Sequence, residues 1–289
     1  SSKGRISFFE GDILDKQFLN NTFKKANLEN KPIVAVLHFA GLKSVNESMA
    51  DPISYWETNV CGTINLLNVM KEYDCKKLVF SSSATVYKPI IKRLINENSE
   101  LGPINPYGTT KLAIEYMLKN LVTFKSHDWK IINLRYFNPV GAHPSGLIGE
   151  SPKGKPNNLF PILLKVAAGE YKNLSIFGKD WPTNDGTCIR DFIHIVDLAE
   201  AHISALKFIM NSSPILLDLN IGTGCGHSVL EVVETFKKVN NCDFKYSFKS
   251  RREGDAAYLV ADNSLALSTL DWSPKRSLID MCRDAWRWK

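Results

Sequence analysis

Two continuous apolar runs, Ile33 to Ala40 (IVAVLHFA) and Lys77 to Ser82 (KLVFSS), predict strands buried on both faces. A helix is predicted between them: Asp51-Pro52 supplies an N-cap and a proline at the first helical position, and apolar residues recur at Trp56, Val60, Ile64, Leu67 and Met70. A second helix is predicted from near Tyr107 towards Phe124, then a strand over Ile131 to Tyr136. Strands alternating with helices imply a parallel sheet with crossover helices. After Asn138 the texture becomes a loop rich in Gly, Pro and Asn (GAHPSGLIGESPKGKPNN), long enough to suggest a ligand-binding segment. Further helices are predicted over Leu159 to Ala168, over Val196 to Met210 and from Ser228, whose Glu231 completes a capping box; a strand is predicted over Leu216 to Ile221.

The 289 residues allow one large α/β domain or two modest ones. The net charge of +6 is spread along the chain, too diffuse for a nucleic-acid footprint but compatible with small anionic ligands. The short runs Lys24-Lys25, Lys76-Lys77 and Lys237-Lys238 read as solvated faces. No stretch of eighteen apolar residues occurs and the first ten residues lack a signal-peptide core, so neither a membrane span nor secretion is expected. Six cysteines without CxxC spacing suggest free thiols in a reducing cytoplasm and no metal site. The chain opens on Ser rather than Met, which reads as a trimmed or incomplete N-terminus.

Gly222-Thr223-Gly224-Cys225-Gly226 lies between a strand and a helix and resembles a dinucleotide-binding loop, but His227 stands where the third glycine is needed. A tight turn is the better reading. The stronger signal is Tyr107-Gly108-Thr109-Thr110-Lys111, 24 residues after Ser83. A four-residue spacing puts Tyr107 and Lys111 on one helical face, where an ammonium favours the phenolate of a group with an ordinary pKa near 10. With Ser83 sharing a hydrogen bond with a substrate oxygen, the pair could move a proton in alcohol and ketone interconversion. A Y-x-x-x-K also arises by chance on helices; the strand-ending serines and the α/β pattern shift that balance.

The segment Phe80 to Tyr87 (FSSSATVY), with Tyr107 and Lys111, resembles the extended short-chain dehydrogenase/reductase superfamily. Asp12-Ile13 in EGDI, HFAGLKSVNES from His38, RYFNPVGAHPSG from Arg135, PNNL from Pro156, IRDFIHIVDLA from Ile189 and RREGD from Arg251 narrow the resemblance to the UDP-glucose 4-epimerase family, over about Phe9 to Trp288. The resemblance implies a Rossmann-like doubly wound parallel sheet over 1–138, binding NAD, and a smaller α/β region over 139–289, binding mainly the UDP-sugar. It implies that Tyr107 takes the proton of the sugar 4-hydroxyl while hydride passes to NAD, that Ser83 bonds the reacting oxygen, and that Lys111 lowers the Tyr107 pKa and holds the nicotinamide ribose. Cofactor contacts are implied for Asp12, Ile13, Phe39, Ala40, Gly41, Lys43, Asn59, Ser83, Tyr107, Lys111 and Phe137. Substrate contacts with UDP-glucose or UDP-galactose are implied for Lys43, Ser83, Tyr107, Tyr136, Asn138, Asn158, Leu159, Ser175, Ile176, Phe177, Arg190, Arg252 and Asp255. Ala40 and Gly41 could equally just close a strand. Structural ion pairs of Arg190 with Asp191, and of Arg252 with Glu253 or Asp255, are the competing readings for those arginines. A cytoplasmic homodimer, formed through the helices around Asn59 and Tyr107, is also implied.

The chain departs from the family pattern at its start. Gly4 to Asp12 corresponds to the third strand, and no G-x-x-G-x-x-G occurs, so the first βαβ unit is missing from the sequence. In the strand order 3-2-1-4-5-6 this would split the sheet and remove a pyrophosphate-binding helix N-terminus, so weak NAD binding is expected of the chain alone. Lys88 stands in place of a usual glycine, Phe192 in place of a common tyrosine, and Leu259 at the position limiting bulk at the sugar C2. A nucleotide-sugar 4,6-dehydratase shares Ser, Tyr and Lys but typically has Asp-Glu after the serine position, where Ala84-Thr85 stand here. A silent, truncated paralogue that binds UDP-sugar or dimerises is the non-enzymatic alternative.

Overall fold

The computed structural model describes residues 6–89, 94–125, 128–152, 154, 156–252 and 255–289. In chain order the elements are α1 (Lys16–Leu28), β1 (Val36–His38), α2 (Val45–Ala50), α3 (Pro52–Tyr55), a π-helical segment (Trp56–Cys61), α4 (Gly62–Glu72) and β2 (Lys77–Ser83). A 3₁₀ turn (Ala84–Val86), α5 (Pro106–Asn120), a second π segment (Leu121–Lys125), β3 (Lys130–Tyr136), β4 (Asn138–Val140), α6 (Leu159–Ala167), β5 (Leu174–Phe177) and β6 (Ile189–His194) follow. The chain continues through α7 (Ile195–Asn211), β7 (Ile215–Ile221), β8 (Gly226–Ser228), α8 (Val229–Asn240), β9 (Tyr246–Lys249), β10 (Tyr258–Leu259), α9 (Ser264–Thr269) and α10 (Leu278–Trp288).

The main sheet has the order β1-β2-β3-β7, with β1 and β2 parallel and Leu37 opposite Val79. This is the α/β architecture expected from the alternating pattern. Two compact units interleave along the chain: residues 1–81, 105–133 and 209–217 in the first, and 82–104, 134–208 and 218–289 in the second. Residues 82–104 and 134–138 pack in the second unit, and 209–217, from the end of α7 into β7, pack in the first, so these packing units are a different division from the functional one expected at residue 138.

In the first unit, α1, α4 and α5 cover strand residues with Phe23, Leu66, Met70, Ile114 and Leu118 against Leu78, Phe80 and Ile131. The predicted strand Ile33 to Ala40 shrinks to three residues, the half-buried Val36 and Leu37 and the buried His38, because β1 is laddered on one side only. The expected strand over Gly4 to Asp12 is absent from residues 6–12, which pair with no described strand; Gly4 lies outside the described residues. Asp51 caps α3 as predicted, accepting from Ser54 N at 3.2 Å. The predicted continuous helix is interrupted by the π segment, and its apolar stripe is only partly internal: Leu67 and Met70 are buried, whereas Trp56 and Ile64 are exposed.

In the second unit, β10, β6 and β4 form a parallel set, β8 adds antiparallel to β6, and β5 pairs parallel with β9. Phe160, Leu163, Phe192, Val232, Phe236, Met281 and Cys282 form its core. The capping box of α8 is present as predicted, and α10 has a second one at Ser277 and Asp280. The Gly222–Cys225 turn leads into β8 rather than directly into a helix. Among the described residues no helix is long and apolar enough to cross a membrane.

Candidate active site

In the first unit, Pro106 opens α5 and the Asn105 side chain accepts from Gly108 N at 2.8 Å, so the helix starts where the Y-x-x-x-K begins. Tyr107 is half-buried and Lys111 is buried one turn on. The Lys111 ammonium donates to Ser81 O at 2.7 Å and lies 4.8 Å from the Phe80 ring centroid and 5.8 Å from that of Tyr107. Burial, opposed by Glu115, lowers its pKa from 10.5 to about 8, so it remains mostly charged at neutral pH. The Tyr55 ring meets the Tyr107 ring edge-on at 6.5 Å.

The loop after β1 is shaped by Asn59, which the π segment turns inward. Its Oδ1 accepts from Leu42 N at 2.7 Å, and its Nδ2 donates to Leu42 O at 3.1 Å and Thr110 Oγ1 at 3.0 Å. Thr110 in turn donates to Tyr107 O at 2.8 Å. Asn59, expected to line a cofactor, thus spends its amide on the chain itself and ties the Gly41-Leu42 loop to the first turn of α5. Gly41 has φ +154° and a Cβ there would sit 2.8 Å from Asn59 Oδ1, which accounts for the glycine. Phe39, Ala40 and Lys43 are exposed on the same loop. Asp12 is exposed and holds Leu14 N at 2.9 Å, while Ile13 packs towards Gly62.

His38 was not singled out by sequence reasoning. It is buried, with Nε2 2.9 Å from Thr63 Oγ1; that hydroxyl donates to Asn59 O at 2.6 Å, so it must accept from the Nε2–H. Burial, and then the charge of Lys111, lower its pKa to about 3, which leaves it a neutral strut. The only sequence signal for it was its place at the end of an apolar run.

In the second unit, Ser83 closes β2 and is buried. Its Oγ accepts from Thr85 N at 3.2 Å and Thr85 Oγ1 at 2.9 Å, so Thr85 is a second residue that sequence reasoning passed over, although Ser-x-Thr at a strand end is a recognisable turn signal. Phe137 is buried, with its N–H on Ile221 O at 3.2 Å. The Tyr136 hydroxyl donates to Nε2 of His202, whose Nδ1 is 2.8 Å from Leu198 O. Asn138 begins β4, and its buried Oδ1 has no hydrogen-bond partner among the described residues.

Asn158 is exposed at the N-cap of α6 without capping through its side chain, and Leu159 follows half-buried. Along β5, Ser175 and Phe177 face away from the core, whereas Ile176 is buried within it; strand alternation removes the Ile176 side chain from any ligand. Arg252 stacks on Phe177, 3.9 Å from guanidinium carbon to ring centroid, and reaches Asn157 O at 3.5 Å. Arg190 donates to Ala256 O at 2.8 Å and pairs with Asp255 at 3.4 Å. Its expected pairing with Asp191 is not formed, because neighbours on a strand point to opposite faces. Glu253, the other suggested partner of Arg252, lies outside the described residues.

Asp191 instead fills the Gly222-Thr223-Gly224 turn. Its carboxylate accepts from Thr223 N (2.8 Å), Thr223 Oγ1 (2.7 Å), Gly224 N (3.0 Å) and Ala261 N (3.2 Å). A Cβ on Gly222 would sit 2.5 Å from Asp191 Oδ2. The amides that would greet a phosphate in a dinucleotide loop are occupied by the protein's own carboxylate, which supports the reading of this segment as a structural turn.

The family model described as GDP-mannose 4,6 dehydratase matches residues 1–285. The UDP-glucose 4-epimerase of Bacillus subtilis is 48% identical over 284 residues, 98% of this chain and 82% of the relative, and that of Dictyostelium discoideum is 48% identical over 284 residues, 98% of this chain and 81% of the relative. Among solved structures, the UDP-glucose 4-epimerase of Stenotrophomonas maltophila, with bound NAD and formylated UDP-arabinopyranose, superimposes with TM-score 0.92 at 44% identity, covering 97% of this chain and 82% of the other. That of Bifidobacterium longum, in complex with NAD+ and UDP, gives TM-score 0.90 at 43% identity with the same coverage. The relatives carry the epimerase name. Nearly half identical to these proteins over almost its whole length, and folded as they are, the chain belongs to the UDP-glucose 4-epimerase family.

Proposed function

We propose that this protein interconverts UDP-glucose and UDP-galactose with NAD, by transient oxidation at the sugar C4. The observation that carries the proposal, beside family membership, is a buried lysine one helical turn from Tyr107 with its pKa lowered only to about 8, so that it is still mostly charged at neutral pH. That charge favours the phenolate, and Tyr107 as phenolate accepts the proton of the 4-hydroxyl. Ser83 hydrogen-bonds the reacting oxygen.

When bound, NAD supplies a reversible two-electron acceptor for the carbon that bears this oxygen, so oxidation followed by reduction leaves no net redox change. The donor chemistry of the first unit fits it: an ammonium has three donors and Ser81 O takes one, leaving Lys111 able to hold ribose hydroxyls, beside the exposed loop Phe39 to Lys43. Asp12 and Ile13 would meet the adenine, and Phe137 the cofactor's other end. Asn59 serves by shaping the loop.

For the nucleotide sugar, the orphaned Oδ1 of Asn138 calls for a donor such as a sugar hydroxyl. Arg190 and Arg252 suit a pyrophosphate because a guanidinium stays charged and bonds bidentately. Asn158, Leu159, Ser175, Phe177 and Asp255 complete this set, with Ile176 contributing its backbone alone. Cofactor work is assigned to residues 1–138 and sugar-nucleotide binding mainly to 139–289. All six cysteines are free, which fits a cytoplasmic location.

The test is UDP-glucose formation from UDP-galactose with added NAD, by the chain as it stands and by the chain preceded by the strand, glycine loop and helix that the family resemblance implies. Turnover in either form, reduced at least a hundredfold by Tyr107→Phe, is the expected result. No turnover in both forms, or near-normal turnover of the Tyr107→Phe variant, would refute it.

A further inference from the structure

The 3₁₀ turn after β2 does more than carry the chain away from Ser83. A hydroxyl has one donor and two acceptor lone pairs. Ser83 Oγ accepts from the backbone N–H of Thr85, a fixed donor, and from the Thr85 hydroxyl, so both lone pairs are engaged and only its O–H remains to meet a ligand. The turn that presents Thr85 is itself held rigidly. Tyr87 N bonds Ala84 O at 3.2 Å, and the buried Tyr87 hydroxyl donates to Asn220 Oδ1 at 2.7 Å while accepting from Arg135 Nη1 at 2.9 Å. Arg135, 1% exposed, also reaches Glu97 O at 3.3 Å and Asp218 at 2.9 Å.

We propose that Thr85 is a positioning residue whose hydroxyl makes Ser83 an obligate hydrogen-bond donor to the reacting sugar oxygen. The inference rests on the placement of Ser83 in the proposed site. Its chemical consequence is a division of labour. The serine cannot accept the 4-hydroxyl proton, so that proton goes to Tyr107, while the serine O–H stays intact and stabilises negative charge growing on the oxygen. No bond to Ser83 forms or breaks.

A double-mutant cycle on the catalytically active form tests it. Thr85→Val keeps the β-branched shape and the backbone N–H but removes the hydroxyl. Loss of one oriented hydrogen bond predicts a fall in kcat of about tenfold with KM for UDP-galactose changed by less than about threefold. Thr85→Ser should restore most of the rate. In a Ser83→Ala background, itself slowed at least as much, Thr85→Val should add almost nothing, because Thr85 acts through the serine. A full additional loss in that background, an unchanged kcat for Thr85→Val, or a rise in KM alone would overturn the proposal. Wild-type turnover by Ser83→Ala would instead refute the placement of Ser83 in the site. Should Thr85→Val fail to fold, Thr85→Ala in the same cycle reads the same coupling.

Discussion

A single buried charge dominates the residue scale. Burial lowers the pKa of Lys111 from 10.5 to about 8, so between those values the unfolded chain binds more protons than the folded one, and stability rises with pH across that window. Below about pH 8 the ammonium is present in both states and its desolvation weighs fully against folding. A shift of this size corresponds to about 3 kcal/mol. Lys111→Met removes the titration, so the stability of the native protein relative to this variant should improve by roughly that amount from pH 8 to pH 10.5. Urea denaturation of both proteins at the two ends of the window measures it. A difference that does not change with pH would show that the lysine is not desolvated as described.

At the scale of elements, Asp191 joins β6 to the turn after β7 and to the chain beyond β10, through four donors on one carboxylate. Burial pushes its pKa up while those donors pull the other way. Asp191→Asn keeps the shape but turns one acceptor into a donor facing N–H groups, so it should cost about 2–4 kcal/mol and lower the denaturation midpoint, with little change in the far-ultraviolet spectrum at 25 °C. Unaltered stability would mean that the turn is held by its glycines alone.

The same residue marks the limit of what could be read in advance. The strands β2, β3 and β7, the helix carrying Tyr107 and Lys111, and the cap of α8 were legible, because apolar runs, helical spacing and capping residues are local signals. The candidate site was legible as a set of residue types, largely through family resemblance. What escaped were partnerships set by residues far apart in sequence: Asn59 turning inward through a π segment to hold Leu42, His38 locked by Thr63, and Arg190 pairing with Asp255 rather than its neighbour. Residues 6–12 failed to become a strand for a related reason. A strand needs a neighbour to ladder with, and apolar composition does not supply one.

At the scale of the whole molecule, the described residues of the first unit leave apolar side chains of its helices uncovered. The helices α2 to α5 turn one side inward through Tyr55, Leu66, Met70 and Ile114, yet Ile53 is 77% exposed, Tyr116 53%, Trp56 42% and Ile64 39%. Scattered apolar residues on a surface are ordinary, but these lie on α3, the π segment, α4 and α5, which pack successively on one another. We propose that a second copy covers them, since an isologous contact between two such helical faces is self-complementary and closes at a dimer. Sedimentation at micromolar concentration should then give twice the chain mass of 32.5 kDa. Ile64→Lys places a charge at an exposed apolar position of α4, where burying it unpaired against a partner is costly, and should shift the protein to monomer by at least a hundredfold in dissociation constant while leaving its helical content intact. A native protein that sediments at 32.5 kDa, or an Ile64→Lys variant that stays dimeric, would show that these helices face water and that the apolar stripe expected from Trp56 through Met70 serves the monomer alone.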